Sequence, residues 1–174
     1  SSSPSNTPAP FDKENFPQIS IYDNVIFQYR LVTEKFSIQK IALVVGWSMG
    51  AIQSFQWGAS YPDMVERIAP FCGGAKTWPQ TYMVLDGMEA ALMASIGFDS
   101  SKRDKLNSAD MRAVGRVYAG WGLSQAYFRE ELYQEMGFDS LESFISGVFE
   151  NSFMRMNPHN FLAMLWTGQH ADIS

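Results

Sequence analysis

The spacing of apolar residues changes near residue 78 and divides the chain. Before that point, Ile41-Ala42-Leu43-Val44-Val45 is a short unbroken apolar run ending in Gly46. Such a run predicts a strand buried on both faces, as in a parallel sheet. Upstream, Ile21, Val25, Leu31 and Val32 lie near helical spacing. They predict a helix to about Phe36, capped by Ser20 or Asp23 and packed on the sheet. Residues 1–18, rich in Ser, Pro and Asn, predict an extended loop. A second helix is expected from Met49 to Ser60, with Ile52, Phe55 and Trp57 as its apolar surface. Tyr61-Pro62-Asp63 stops it, because proline cannot continue a helix. Val65 to Phe71 then reads as another buried strand, closed by Gly73-Gly74. Helix, strand, helix, strand with short connections is the order of a doubly wound α/β sheet.

Beyond residue 78 no strand-like run occurs, and Met and aromatic residues recur at helical spacing in 80–96, 108–136 and 139–166. We therefore divide the chain into a partial α/β core, 1–78, and a mostly helical cap, 79–174. The methionines suit packing first and an adaptable apolar cleft second. There is no internal repeat and no heptad run long enough for a coiled coil.

Composition narrows the function. The 174 residues are 46% hydrophobic and 14% aromatic, enough for one folded domain with a real core. Thirteen basic and eighteen acidic residues give a net charge of −5 without long blocks of either sign. That argues against a nucleic-acid surface, which needs clustered Lys and Arg. No apolar run approaches the roughly 20 residues that span a bilayer, so no membrane partner is expected. The N-terminus lacks the basic start and apolar stretch of a signal peptide. With the single Cys72, this points to a reducing, cytoplasmic setting. Ser1 in place of Met suggests that the sequence starts inside a longer protein.

The chemistry-bearing motif is Gly46-Trp47-Ser48-Met49-Gly50. Gly-x-Ser-x-Gly alone is a weak signal, but here a buried strand precedes it and a helix follows at once, as a nucleophile elbow requires. Ser48 is then held at a sharp turn in a sparsely populated backbone conformation. Gly46 and Gly50 leave room for neighbouring backbone. The helix N-terminus favours developing negative charge, and the Met49 amide becomes an oxyanion donor. The plainer alternative is a Gly-rich turn with a buried serine.

A serine nucleophile needs a base, normally a histidine oriented by a carboxylate. The chain has only His159 and His170. In α/β-hydrolases the order is Ser, then Asp or Glu, then His, each after a later strand. Neither histidine follows such a strand, so both are expected to be ordinary and the triad incomplete within these residues. Two distant histidines without clustered carboxylates also make a poor metal site.

Phe16-Pro17, Asp23-Asn24-Val25, the Ser48 pentapeptide and Tyr61-Pro62-Asp63-Met64-Val65 resemble the homoserine O-acetyltransferase family of the α/β-hydrolase superfamily. Phe153-Met154-Arg155-Met156-Asn157-Pro158-His159-Asn160 is similar, more loosely, to the family's end-of-cap helix. The resemblance implies acyl transfer from acetyl-CoA, or another acyl donor acting as co-substrate, through acyl-Ser48 to a hydroxyl acceptor or water. It calls for no bound cofactor and allows a homodimer. It makes Arg116 the residue that binds a substrate carboxylate, although a solvated helix arginine is an equal reading. Trp47, beside the nucleophile, is a second candidate substrate contact. Trp47 and Ala51 replace glycines often found in the family, and Leu123 stands where a substrate-binding tyrosine is expected. Both departures put homoserine in doubt. Three readings follow: an acyltransferase, a carboxylic-ester hydrolase of the same fold, or a non-catalytic domain. The early strands with a second oxyanion donor are expected before Ser1, and the catalytic Asp and His beyond Ser174.

Overall fold

The computed structural model describes residues 2–174. Helix α1 spans Ile21–Arg30 and continues as a π-helical stretch, Leu31–Lys35. Both capping candidates take part in its start. The Asp23 amide donates to Ser20 Oγ at 3.1 Å, and the Ser20 amide donates to Asp23 Oδ2 at 2.9 Å. This reciprocal arrangement satisfies two otherwise orphaned donors. Ile21 and Val25 are buried as expected, but Leu31 is exposed. Helical geometry gives the reason: at about 100° per residue, Leu31 points roughly 120° away from Val25, whereas Val32 returns to within about 20° of it.

Strand β1 is Val44–Trp47, helix α2 is Met49–Ser60, and strand β2 is Ile68–Phe71. The strands pair in parallel with Val44 opposite Ile68 and Trp47 opposite Phe71, and Ile41 and Val65 add one isolated parallel bridge. The ladder thus starts three residues later than the apolar run and ends at the motif. Val25, Trp57 and Met64 are the buried centre of this unit, with Ile41, Val44 and Val65 packed against them. Tyr29 and Tyr61 stack with ring centroids 4.0 Å apart. The expectation of burial on both strand faces does not hold. Val45 is 62% and Trp47 70% exposed, because side chains alternate across a strand and only the Val44 and Gly46 side meets α2. Among the described residues nothing covers the other face.

The remaining elements are helical: α3 Pro79–Ala94, α4 Met111–Gly122, α5 Gln125–Arg129, α6 Leu141–Phe144, α7 Asn151–Phe153 and α8 Pro158–Gln169. A π-helical stretch, Ile145–Glu150, joins α6 to α7. Met88, Met93 and Met111 are buried with Leu92, Val114 and Phe161 in one cluster, so these methionines serve packing. Phe144, Phe149 and Tyr133 centre a second, aromatic cluster.

The compact units do not divide at residue 78. One comprises the segment up to Pro17 with Met83–Leu165, and the other Gln18–Tyr82 with Trp166–Ser174. Hydrogen bonds explain both excursions. In the helical unit, the Ser5 amide donates to Asn160 Oδ1 and Asn160 Nδ2 donates to Ser5 Oγ. In the sheet unit, the Thr77 amide donates to the Ala171 carbonyl, the Ile173 amide to the Ala75 carbonyl, and Thr167 Oγ1 to the Ile19 carbonyl. Lys76 and Asp172 form an ion pair beside them. Among the described residues, no helix is long and apolar enough to cross a membrane.

Candidate active site

Ser48 lies between β1 and α2 with φ 55° and ψ −118°. A left-handed φ is unfavourable for a residue with a Cβ and is held only when its surroundings over-determine it. Three contacts do so here. The Ser48 amide donates to the Phe71 carbonyl at 2.9 Å, carrying the parallel ladder into the turn. The Ser48 carbonyl accepts from Ala51 at 2.9 Å and Ile52 at 3.3 Å, starting the helix. Gly46 packs against Gly50, where an added Cβ would fall 2.0 Å from the Gly50 carbonyl oxygen.

Gly50 itself has nothing within 4 Å of an added Cβ, so among the described residues it is not a close-approach glycine. The sequence reading gave it that role; the second crowded glycine is Gly73, in the loop after β2. Ser48 is exposed and its side chain makes no capping hydrogen bond. The first amides of a helix have no intrahelical partner. The Met49 amide, next to the serine, is among them and is open to negative charge at the helix start. No acidic residue occupies the first turn of α2 to oppose that charge.

Trp47 is exposed beside Ser48, opposite Phe71 in the ladder. Arg116 belongs to the helical unit, and both edges of its guanidinium are occupied. Its Nε donates to buried Glu150, and its Nη1 and Nη2 donate to the two oxygens of Glu142. These charge-assisted bonds, with Glu142 the larger influence, hold its pKa well above the ordinary arginine value. Arg112 reaches the other oxygen of Glu150 at 3.3 Å. Gly115 lets α4 come this close, since a Cβ there would lie 2.8 Å from the Phe149 carbonyl oxygen. The carboxylates that meet this arginine fork thus come from the chain itself.

Neither histidine is engaged with Ser48. The His170 ring stacks on Trp166 with centroids 4.4 Å apart, and its Nδ1 lies 2.9 Å from the Trp166 carbonyl oxygen. His159 is in the first turn of α8, where its backbone amide donates to Asn157 Oδ1. Among the described residues, no group of three His, Cys, Asp or Glu side chains could hold a metal ion.

A parallel strand, a strained serine and a helix in immediate succession define a nucleophile elbow of the α/β-hydrolase kind. Comparison with known proteins gives the same answer for the fold. The chain is 32% identical to the ethyl acetate hydrolase of Pseudomonas veronii over 176 aligned residues, covering all of this chain and 50% of that protein. It superposes on the structure of the acetyl esterase MekB with a TM-score of 0.91 and 32% identity, covering 99% of this chain and 51% of the other. A shorter stretch of 56 residues is 46% identical to the homoserine O-acetyltransferase of Chlorobaculum parvum, covering 32% of this chain and 15% of that enzyme. No family model matches the chain. The chain is a homologue of the acetyl esterases and homoserine O-acetyltransferases and has the α/β-hydrolase fold over the part that it shares with them. It spans about half the length of the curated relatives that it matches along its whole length.

Proposed function

We propose that this chain carries the nucleophile of a serine esterase acting on short-chain acyl esters, with acyl-Ser48 as the intermediate. The observation that carries the proposal is the left-handed Ser48 at the β1–α2 junction, exposed and free of a capping bond. In the proposed reaction Ser48 Oγ attacks the ester carbonyl carbon and gives up its proton to a base. The tetrahedral oxyanion is held by the Met49 amide, a kind of donor worth roughly 3–4 kcal/mol to the transition state. Collapse expels the alcohol, and water then releases the acid from Ser48. The proposal takes the imidazole base and its carboxylate from sequence outside these 174 residues: the His170 ring is stacked on Trp166, and His159 stands in the first turn of α8 and follows no strand.

The whole-length likeness to an ethyl acetate hydrolase supports water as the acceptor. The locally higher identity to a homoserine O-acetyltransferase favours a second reading, transfer to a hydroxyl acceptor with acetyl-CoA as donor.

The test is to quench the whole protein after exposure to p-nitrophenyl acetate or to acetyl-CoA and map the acetyl group by peptide mass spectrometry. An adduct on Ser48 from the aryl ester, released by water, is expected. Release only on adding an alcohol would favour the transferase. No adduct from either donor would leave a non-catalytic domain.

A further inference from the structure

We infer that Gly73 is a positioning residue for the nucleophile, acting on Ser48 from outside the Gly-Trp-Ser-Met-Gly segment; the inference rests on the serine-nucleophile reading above. A Cβ built on Gly73 would lie 2.6 Å from the Ser48 carbonyl oxygen and 2.7 Å from Ala51 Cβ. Both separations are shorter than real Cβ atoms tolerate, and the first is to backbone. Conformation does not demand a glycine here. The left-handed glycines are Gly97 and Gly137, and the left-handed residue of this loop is its neighbour Cys72, at φ 53°. Gly73 lacks a side chain because the loop lies against the elbow.

Ser48 is therefore held at both of its peptide groups. Its amide is tied to the Phe71 carbonyl, and its carbonyl is backed by Gly73 two residues later. That same carbonyl accepts the first hydrogen bonds of α2. Pushing it away would move the helix start and the Met49 amide relative to Ser48 Oγ. The hydroxyl and the oxyanion donor would lose their alignment while the exposed side chains beside them stay the same. The expected signature is slower chemistry at unchanged binding.

The experiment measures labelling of the whole protein by a fluorophosphonate, resolved into the maximal labelling rate and the half-saturating concentration. Rates are expressed per folded molecule by near-ultraviolet circular dichroism. Gly73→Ala is expected to lower the maximal rate by about tenfold or more, as misplacement of reacting groups by about 1 Å can cost up to a hundredfold, with half-saturation unchanged. Gly74→Ala is the control, because its Cβ would meet only the Lys76 carbonyl at 3.5 Å and Trp78 Nε1 at 4.0 Å; it is expected to keep the wild-type rate. If Gly73→Ala does not fold, the double variant Ala51→Gly, Gly73→Ala removes the side-chain half of the crowding, keeps the backbone half, and should still label slowly. Wild-type labelling by Gly73→Ala or by the double variant would overturn the inference, as would equal slowing by Gly74→Ala. A wild-type protein that takes no label on Ser48 would instead overturn the nucleophile reading.

Discussion

The amide of Ser48 donates to the carbonyl of Phe71 across 2.9 Å, so the last rung of the parallel ladder belongs to the proposed nucleophile itself. Strand pairing and the geometry of the elbow are coupled at one hydrogen bond. The turn stays left-handed because the ladder, the helix start and Gly73 each fix part of it.

Strain at that turn should be measurable as stability. A non-glycine residue in such a region costs about 1–3 kcal/mol, and glycine adopts it freely. Ser48→Gly is expected to raise the unfolding free energy by about 1 kcal/mol, part of the relief being offset by greater unfolded-state entropy. It should abolish acylation at the same time. Urea denaturation checks the sign, and a loss of stability would show that the turn is relaxed.

The arginine network predicts an asymmetry between two carboxylates. Glu150 is 6% exposed and answers both Arg112 and Arg116, whereas Glu142 is exposed. Glu150→Ala removes the buried acceptor of two half-exposed arginines and should cost about 1.5–3 kcal/mol in urea denaturation. Glu142→Ala removes an exposed, solvent-screened pair and should cost less than Glu150→Ala. Equal costs would contradict the assignment.

Two exposed carboxyl groups give the acid limb of stability its direction. Lys76, then Ser174, holds the Asp172 carboxyl below its ordinary value, and Arg116 does the same for Glu142. Their contribution is complete above the unfolded pKa near about 4 and is lost as pH falls through the depressed folded values. Melting temperature should therefore decline below about pH 4, and Asp172→Asn should flatten that decline. An unchanged acid limb in Asp172→Asn would remove this pair from the account.

The legible parts of the fold were those set by local chemistry. Ser20 and Asp23 both read as caps for α1, though not as the reciprocal pair that they form, and Met49 to Ser60 reads as a helix from its apolar residues and its stop at Tyr61-Pro62-Asp63. The elbow was legible because the Ser48 motif sits between an apolar run and that helix. What local pattern does not carry is the neighbourhood across the chain. Glu142 and Glu150 face Arg116 from a separate helical segment, and nothing in the spacing around Arg116 marks its fork as filled. Gly73 reads as the close of a strand, since its crowding depends on the parallel register that brings it to Ser48. The outward turn of Val45 and Trp47 was missed because a run apolar at every position does not reveal which face meets a helix.

The hydrogen bonds among Ala75, Thr77, Ala171 and Ile173, with the Lys76–Asp172 pair, join the place where the chain leaves the sheet unit to the place where it returns. They act as a clasp at the neck of a long excursion. A segment fastened in this way is a replaceable module: it can be lengthened, shortened or exchanged while the register behind Ser48 is kept.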